Sequence, residues 1–330
     1  MTTRATERPA TTPRRVLMLG GTGTIGRATL AALVAWGHEV VCIVRPGSAA
    51  GLPAGAEARP TDITDAEALR RDGLRGERFE TLVSCLASRT GAPADAWAID
   101  HRAHSLALAA AQEAGVAHVV QLSAICVQKP LLEFQRAKLA FEEELMASGL
   151  DWTIVRPTAF FKSLSGQVER VRAGRPFLIF GDGRLTACKP ISDADLAAYL
   201  ADCLDDPARR NRVLPIGGPG AAITPREQGE WLFELTGRPP RFRSVPVAML
   251  DGIIAGLALL GRVSPRLRDK AEFARIGRYY ATESMLLLDP ATGRYDAEAT
   301  PSTGTETLRD HYARMLRGEV GDDRGAHAVF

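Results

Sequence analysis

The residues best suited to chemistry are concentrated between residues 119 and 138. An apolar run ending at Leu122 predicts a buried strand, and a helix beginning near Leu132 places Phe134 and Lys138 one turn apart. The loop between strand and helix carries the polar side chains of Ser123, Cys126, Gln128 and Lys129. Polar residues just beyond the carboxyl end of a strand in an open α/β sheet face the ligand crevice. We therefore expect the reaction centre in this stretch.

A glycine-rich turn near the amino terminus predicts a dinucleotide site. It lies between a short apolar strand, Val16 to Leu19, and a helical pattern, and this context distinguishes it from a merely Gly-rich turn. Gly20 permits the tight turn, Gly23 lets the backbone approach a pyrophosphate, and Gly26 lets the helix pack closely on the sheet. The cofactor contacts expected here are Gly20, Thr22, Gly23, Thr24, Ile25 and Gly26.

Arg45 indicates which dinucleotide is bound. It ends the second predicted strand, Glu39 to Val44, where an NAD site would place a carboxylate against the ribose 2′-OH. A guanidinium at this position fits a 2′-phosphate and predicts NADPH, the alternative being an arginine exposed at a strand end. Asp62 is expected either at the adenine edge or in a turn. The further expected cofactor contacts are Ile63, Cys85, Leu86, Ser123, Lys138 and Pro157.

Phe134 is the most discriminating residue in the sequence. Short-chain dehydrogenases usually transfer protons through a tyrosine followed one helical turn later by a lysine, and here that spacing joins Phe134 to Lys138. Because phenylalanine has no proton to give, the usual alcohol oxidation is excluded unless another residue substitutes. Lys138 can still hold the ribose hydroxyls. The pattern therefore predicts hydride transfer to a conjugated carbon–carbon double bond.

Strands and helices alternate from residue 15 to about residue 217, which predicts an α/β fold, a Rossmann-type doubly wound parallel sheet with a smaller C-terminal substrate lobe. We expect a disordered leader at 1–14, an NADP-binding domain at 15–217 with 162–187 contributing to the lobe, the lobe itself at 218–317, and a flexible tail at 318–330.

Several local predictions accompany this fold. Residues 81–88 read as one continuous strand and residues 96–114 as one helix with His101 and His104 on its surface. Thr64 and Glu67 read as a capping box. The apolar segment Val247 to Leu260 is expected to be a helix that is either buried or covers an apolar ligand, and a peripheral contact with a membrane surface is also compatible with it.

Composition excludes several classes of function. The chain has 330 residues, 45% of them hydrophobic, and a formal net charge of +2, which is too small to indicate nucleic-acid binding. Its five cysteines are scattered, without the spacing of a metal or iron–sulphur site, and suit a reducing cytoplasm. The N-terminus lacks the apolar region of a secretory signal, and no apolar stretch reaches the roughly 18–20 residues that cross a bilayer.

Long blocks of the sequence resemble a known family. With the glycine turn and the Phe134/Lys138 pair, the chain resembles the atypical, NmrA-like short-chain dehydrogenase/reductases, and more narrowly the divinyl (proto)chlorophyllide 8-vinyl reductases of phototrophs. The narrower resemblance is carried by VSCLASRT at 83–90, LSAICVQKPLLEFQRAK at 122–138, RPTAFFKS at 156–163, CKPIS at 188–192 and IGRYYATESM at 276–285. It implies NADPH-dependent reduction of an 8-vinyl group to ethyl in (bacterio)chlorophyll biosynthesis, without flavin or iron–sulphur cluster.

The resemblance also implies a magnesium tetrapyrrole as substrate, a flat and largely apolar ring with a propionate. Lys138 is expected to be the catalytic residue, and weaker candidates for the proton donor are Tyr279, Tyr280, Cys126 and Lys129. The alternative role of the two tyrosines is packing of the lobe on the sheet. The expected substrate contacts are Cys126, Lys129, Phe134, Phe160, Phe161 and Lys189. Candidates for pairing with the propionate are Arg156, Lys162, Lys189 and Arg278.

Two other functions remain compatible with the same residues. One is an NADPH-dependent reductase for a different conjugated small molecule, such as a phenylpropanoid. The other is a non-catalytic, NmrA-like module that senses NADP(H) and reports through a partner.

Overall fold

A seven-stranded parallel sheet lies at the centre of the protein, whose computed structural model describes residues 12–48 and 52–321. The strands are β1 (Arg15–Leu19), β2 (Glu39–Val44), β3 (Ala56–Pro60), β4 (Thr81–Ser84), β5 (His118–Leu122), β6 (Asp151–Pro157), β7 (Phe177–Phe180), β8 (Arg212–Ile216), β9 (Phe242–Val245), β10 (Leu287–Leu288) and β11 (Tyr295–Asp296). The sheet order is β3-β2-β1-β4-β5-β6-β8, with every neighbouring pair parallel. This order is the predicted doubly wound, Rossmann-type sheet. Most of the predicted leader and tail lies outside the described residues.

The helices cover both faces of the sheet and form most of a second lobe. They are α1 (Thr24–Ala35), α2 (Ala66–Ala68), α3 (Pro93–Ala96), α4 (His104–Glu113), α5 (Glu133–Met146), α6 (Phe161–Leu164), α7 (Val168–Arg172), α8 (Asp193–Asp205), α9 (Pro225–Thr236), α10 (Val247–Leu260), α11 (Pro265–Thr282) and α12 (Leu308–Leu316). Two π-helical turns, Leu69–Leu74 and Trp97–Ala103, interrupt the α-helical segments.

The sheet is covered on both faces, which explains why its strands are continuous apolar runs. In β1 the side chains alternate, with Leu17 and Leu19 in the core cluster that also contains Phe141 of α5. Val16 and Met18 point into the opposite cluster, which is completed by apolar residues of α1 and α8. The alternation therefore places α4 and α5 on one face and α1 and α8 on the other.

A third apolar cluster lies beyond the sheet. It gathers residues of α7, β7, α9, α11 and α12, together with residues of the 125–132 loop. β7 pairs with β9 in parallel and apart from the main sheet. Tyr312 of α12 is fully buried in this cluster, and its hydroxyl donates a hydrogen bond of 2.8 Å to the Leu164 carbonyl. The terminal helix is therefore part of the folded lobe.

Two local predictions are wrong, and in both places a side chain accepts hydrogen bonds from backbone N–H groups. The strand predicted for residues 81–88 ends at Ser84, whose Oγ accepts a hydrogen bond from the Leu86 N–H. The cap of α2 is Asp65, whose Oδ1 accepts from two N–H groups of that helix, while the Thr64 hydroxyl donates instead to Asp62.

The single helix predicted for residues 96–114 is also wrong. The segment contains the π-turn Trp97–Ala103 between α3 and α4. This change of helical period buries Asp100 and His104. His104 was expected on the helix surface, and that expectation is wrong.

The apolar helix α10 has no buried residue. One of its two predicted roles, burial in the core, is therefore wrong. Leu259 and Leu260 are 62% and 53% exposed. Within the described residues, no helix combines the length and apolar character needed to cross a bilayer.

Tyr312 offers a test of the lobe packing. We expect Tyr312→Phe to lower the free energy of unfolding by about 1 kcal/mol, because the buried Leu164 carbonyl loses its donor. Tyr312→Ala should cost about 3–5 kcal/mol, because it also leaves a cavity. Urea denaturation measures both values, with Leu185→Ala on the surface as control. Equal stability of Tyr312→Phe and the wild type would contradict the assigned hydrogen bond.

Candidate active site

The glycine turn between β1 and α1 has the geometry of a phosphate cradle. Gly20 has a positive φ of 74°, and a Cβ there would lie 2.5 Å from the Cys85 carbonyl carbon. A Cβ on Gly26 would lie 2.0 Å from the Gly20 oxygen. α1 begins after Gly23 with no side-chain cap, so its first N–H groups lack intrahelical partners and are suited to bind a pyrophosphate. The residues present therefore fit a dinucleotide.

A buried network holds the backbone opposite this turn. The Ser84 Oγ lies 2.8 Å from Nε2 of His104, while Nδ1 of His104 lies 2.8 Å from the Ile99 carbonyl. Because a carbonyl only accepts, Nδ1 carries the proton and Nε2 accepts from the serine. Ser84 in turn accepts from Leu86 N–H. The network thus fixes the Cys85–Leu86 segment, whose backbone meets Gly20.

Lys138 lies near His104 in a separate, buried ion pair. Its Nζ is 2.9 Å from Oδ1 of Asp100, and the side chains of lysine and aspartate are 10% and 0% exposed. The same oxygen accepts a hydrogen bond from Ser88 N–H, and the other oxygen of Asp100 has no partner among the described residues. The π-turn therefore places a carboxylate where it orients the lysine.

Phe134 lies in an apolar environment beside the second lobe. The side chains of Phe134 and of Ile276 in α11 both lie beside Gly91. A Cβ built on this glycine would be 4.0 Å from Phe134 and 2.8 Å from Ile276. The N–H of Glu133 donates to Glu272 of α11 at 3.1 Å. The helix that carries Lys138 therefore packs against α11. Phe134 therefore lies where the sheet and the second lobe meet.

Comparison with known proteins assigns this arrangement to a family. The NAD(P)H-binding family matches residues 20–207. The chloroplastic divinyl chlorophyllide a 8-vinyl-reductase of Oryza sativa subsp. indica is 51% identical over 96% of this chain and 82% of its own length. The enzyme of that name from Arabidopsis thaliana is 48% identical over 94% of this chain and 79% of its own length. This chain belongs to the divinyl chlorophyllide a 8-vinyl-reductase family.

Solved structures agree with the fold of this vinyl-reductase family member. An NADPH-dependent quinone oxidoreductase from Escherichia coli, complexed with NADPH, superposes with a TM-score of 0.66 at 20% identity, covering 91% of this chain and 99% of that one. At this identity the likeness establishes the fold alone. The vinyl-reductase relatives together with the NAD(P)H-binding family match identify the protein as an NAD(P)H-dependent oxidoreductase.

Three of the weaker candidates for the proton donor, Tyr279, Tyr280 and Cys126, are engaged in packing. The Tyr279 hydroxyl donates to the Cys126 carbonyl at 2.9 Å, and burial raises the pKa of Tyr279 well above its usual range. Burial also raises the pKa of Tyr280 and of the Cys126 thiol. Because a higher pKa makes a weaker acid, burial makes these three groups poorer proton donors than they are in water.

Two predicted substrate contacts face the interior of the protein. Phe161 is buried in the lobe cluster against His311, and Lys189 is buried with its Nζ 2.9 Å from the Thr300 carbonyl. Neither side chain presents a free surface, which departs from the expectation for both. Phe160 is half-buried, and Lys129 is 41% exposed while paired with Glu283 at 2.7 Å.

The remaining predicted cofactor contacts surround the sheet edge. Arg45 is exposed at the end of β2, Asp62 accepts from Thr64, and Ile63 is buried. The Ser123 hydroxyl donates to buried Glu142, a carboxylate that also pairs with Arg156. Arg156 is therefore tied to α5. Pro157 ends β6.

Asp100, Ser84 and His104 are site residues that sequence reasoning missed. The expected regular helix over residues 96–114 gave no reason to place Asp100 and His104 inward together. The sequence shows only that Asp100 and His104 are polar residues four positions apart at the start of an Ala/Leu-rich segment.

The pH dependence of the free energy of unfolding tests the burial of His104. Burial lowers its pKa from 6.5 to about 4, with the nearby Lys138 charge acting in the same direction. Between these values the unfolded chain binds a proton that the folded protein does not, so stability falls as pH decreases through this window. In this window His104→Gln should make the free energy of unfolding less pH-dependent by up to about 1.4 kcal/mol per pH unit. Denaturation at several pH values measures the slope, and an unchanged slope would show that folded His104 takes up a proton.

Proposed function

We propose that this protein reduces the 8-vinyl group of divinyl chlorophyllide or protochlorophyllide to ethyl with NADPH, in (bacterio)chlorophyll biosynthesis. The observation that carries the proposal is Phe134 one turn before the buried, ion-paired Lys138. Compared with the usual tyrosine and lysine of short-chain dehydrogenases, this pair retains the lysine but lacks the phenol that transfers a proton in alcohol oxidation. The names of the close relatives identify the matching substrate. Arg45 at the end of β2 supports NADPH as the cofactor.

Different residues of the chain have different roles in the proposed reaction. NADPH, when bound, supplies a hydride to the vinyl group. The N–H groups at the start of α1 would hold its pyrophosphate, and Arg45 would hold its 2′-phosphate. Lys138 positions the nicotinamide ribose. The macrocycle delocalises the negative charge until Lys138, directly or through water, delivers the proton that completes the ethyl group.

The substrate lies between the lobes in this proposal. Phe134 and Phe160 contact the apolar ring, and the partly exposed Lys129 exchanges its partner Glu283 for the propionate. We further propose that residues 218–317, with 162–187, form the substrate lobe, because the third apolar cluster joins residues from both segments. We place the protein in the cytoplasm, an assignment that its five free thiols support.

A single assay separates the proposed function from its two alternatives. The purified chain is incubated with NADPH and divinyl chlorophyllide, and the Soret band and NADPH absorbance are followed together. Loss of the conjugated vinyl group should shift the Soret band to the blue with equimolar NADPH oxidation. No reaction with this pigment, with NADPH consumed on a different conjugated substrate, would support the broader reductase. Absence of NADPH oxidation with every such substrate would support the sensing module.

Lys138 can be tested without confusing catalysis with stability. Lys138→Met leaves Asp100 buried and unpaired, which should cost about 3–5 kcal/mol of stability. The double variant Lys138→Met/Asp100→Asn removes the uncompensated charge, so we expect it to regain stability and to remain at least 100-fold slower in turnover. Urea denaturation and steady-state kinetics measure the two effects. Wild-type turnover and NADPH affinity in the double variant would remove Lys138 from its role.

We also propose that α10 makes a peripheral contact with an anionic membrane surface. α10 packs on α11 and leaves an outer apolar face formed by Met249, Ile253, Leu259 and Leu260. Next to it are exposed cationic side chains without an ion pair to any described residue, namely Arg262, Arg266, Arg268 and Lys270. An apolar helix face bordered by free cations suits lipid headgroups. In a symmetric contact between two copies, these cations would repel each other.

Vesicle sedimentation tests the membrane contact. We expect binding to phosphatidylcholine vesicles that contain phosphatidylglycerol and little binding to phosphatidylcholine alone. Ile253→Glu should abolish this binding, whereas Leu185→Glu, at an exposed position elsewhere, should not. Equal binding of both variants would contradict the proposal. So would a dimer in solution that Ile253→Glu dissociates, because the face would then join two copies.

A further inference from the structure

Lys162 connects the second lobe to the glycine turn. It is the second residue of α6, which begins soon after β6 leaves the sheet. Its Nζ donates a hydrogen bond of 2.6 Å to the Thr24 hydroxyl, across 138 positions of sequence. Thr24 is the first residue of α1 and follows the N-cap Gly23. The ammonium group is therefore held at the amino end of the cofactor-binding helix.

This position is electrostatically unfavourable for a cation on its own. The amino end of a helix carries a partial positive charge, and the first N–H groups of α1 have no side-chain cap. Lys162 forms no ion pair within the described part of the chain. The carboxylate of Asp193 interacts with it electrostatically, although burial raises the pKa of Asp193 and so disfavours its charged form. A lysine directed at a positive helix end is stabilised when an anion binds between them.

The space beside this contact is open enough for a ligand. A cavity of about 330 Å³ is bordered by Thr24, Lys162, Ser192 and Arg314, and also by the carboxyl groups of Asp193 and Glu306. Glu306 is paired with Arg314. Ser192 caps α8, which packs along α1 and begins at the same end. The cavity therefore lies where α1 and α8 both begin, beside the turn that cradles phosphate.

We propose that Lys162 binds the pyrophosphate of NAD(P)H from the second lobe. Its ammonium donates to a phosphate oxygen, while the N–H groups of α1 donate from the other lobe. The residue was a candidate for pairing with the substrate propionate, and its bond to Thr24 assigns it to the cofactor instead. The proposal rests on dinucleotide binding and not on the identity of the pigment. Cofactor binding then strengthens the connection that Lys162 and Thr24 already make between α6 and α1.

Equilibrium binding separates the pyrophosphate contact from the 2′-phosphate contact. Dissociation constants for NADPH and NADH are measured by nucleotide fluorescence, and those for 2′-AMP by calorimetry. Lys162→Met should weaken NADPH and NADH by the same factor, about 10-fold, and leave 2′-AMP unchanged, because 2′-AMP has no pyrophosphate. Arg45→Ala should show the opposite pattern, weakening NADPH and 2′-AMP while leaving NADH unchanged.

Two further variants keep the test decisive. Lys162→Arg retains the charge and should recover most of the affinity for both nucleotides. Thr24→Val removes the hydroxyl that orients the lysine and should weaken both nucleotides about threefold. Unchanged NADPH and NADH affinities in Lys162→Met would overturn the proposal. An increase in pigment KM with unchanged NADPH affinity would assign Lys162 to the substrate.

Discussion

The close approach of two backbone segments, one after β1 and one after β4, is the constraint on which the cofactor site depends. Gly20 and the Cys85–Leu86 segment approach so closely that even a methyl group would collide with the Cys85 carbonyl carbon. Adjacent parallel strands bring their carboxyl ends to the same sheet edge, and the turns beyond them must share that space. The Ser84–His104 network holds one side of this contact, and the positive φ of Gly20 provides the other.

The buried ion pair between Asp100 and Lys138 is a second constraint on the candidate site. Asp100 reaches Lys138 because a π-turn interrupts the helical region before α4. A buried charge without a partner is strongly destabilising, so the pair holds the lysine in one orientation and ties α5 to the 97–103 segment. In the proposed reaction this lysine has no tyrosine one turn before it, because Phe134 occupies that position and lies with Ile276 beside Gly91.

The second lobe contributes to the site mainly by packing. Its cluster includes Phe161, Tyr279 and Tyr312, residue types that on sequence grounds could equally have contacted a substrate. Desolvation raises the pKa of Tyr279 and Tyr312 well above the usual range, which suits structural hydrogen bonds better than proton transfer. α10 differs from the rest of the lobe, because it is apolar and yet has no buried residue. The lobe is thus tightly packed near the sheet and leaves one apolar surface outside.

The sequence by itself determined the parallel sheet, the glycine turn and the Phe134/Lys138 pair, because each depends on residues close together in the chain. Strand alternation and glycine spacing are local patterns with direct physical causes. Only the tertiary structure decided that Asp100 pairs with Lys138, that His104 is buried, and that Lys162 lies beside Thr24. These contacts join residues from 20 to 138 positions apart, and they depend on a π-turn and on lobe packing that no local pattern encodes.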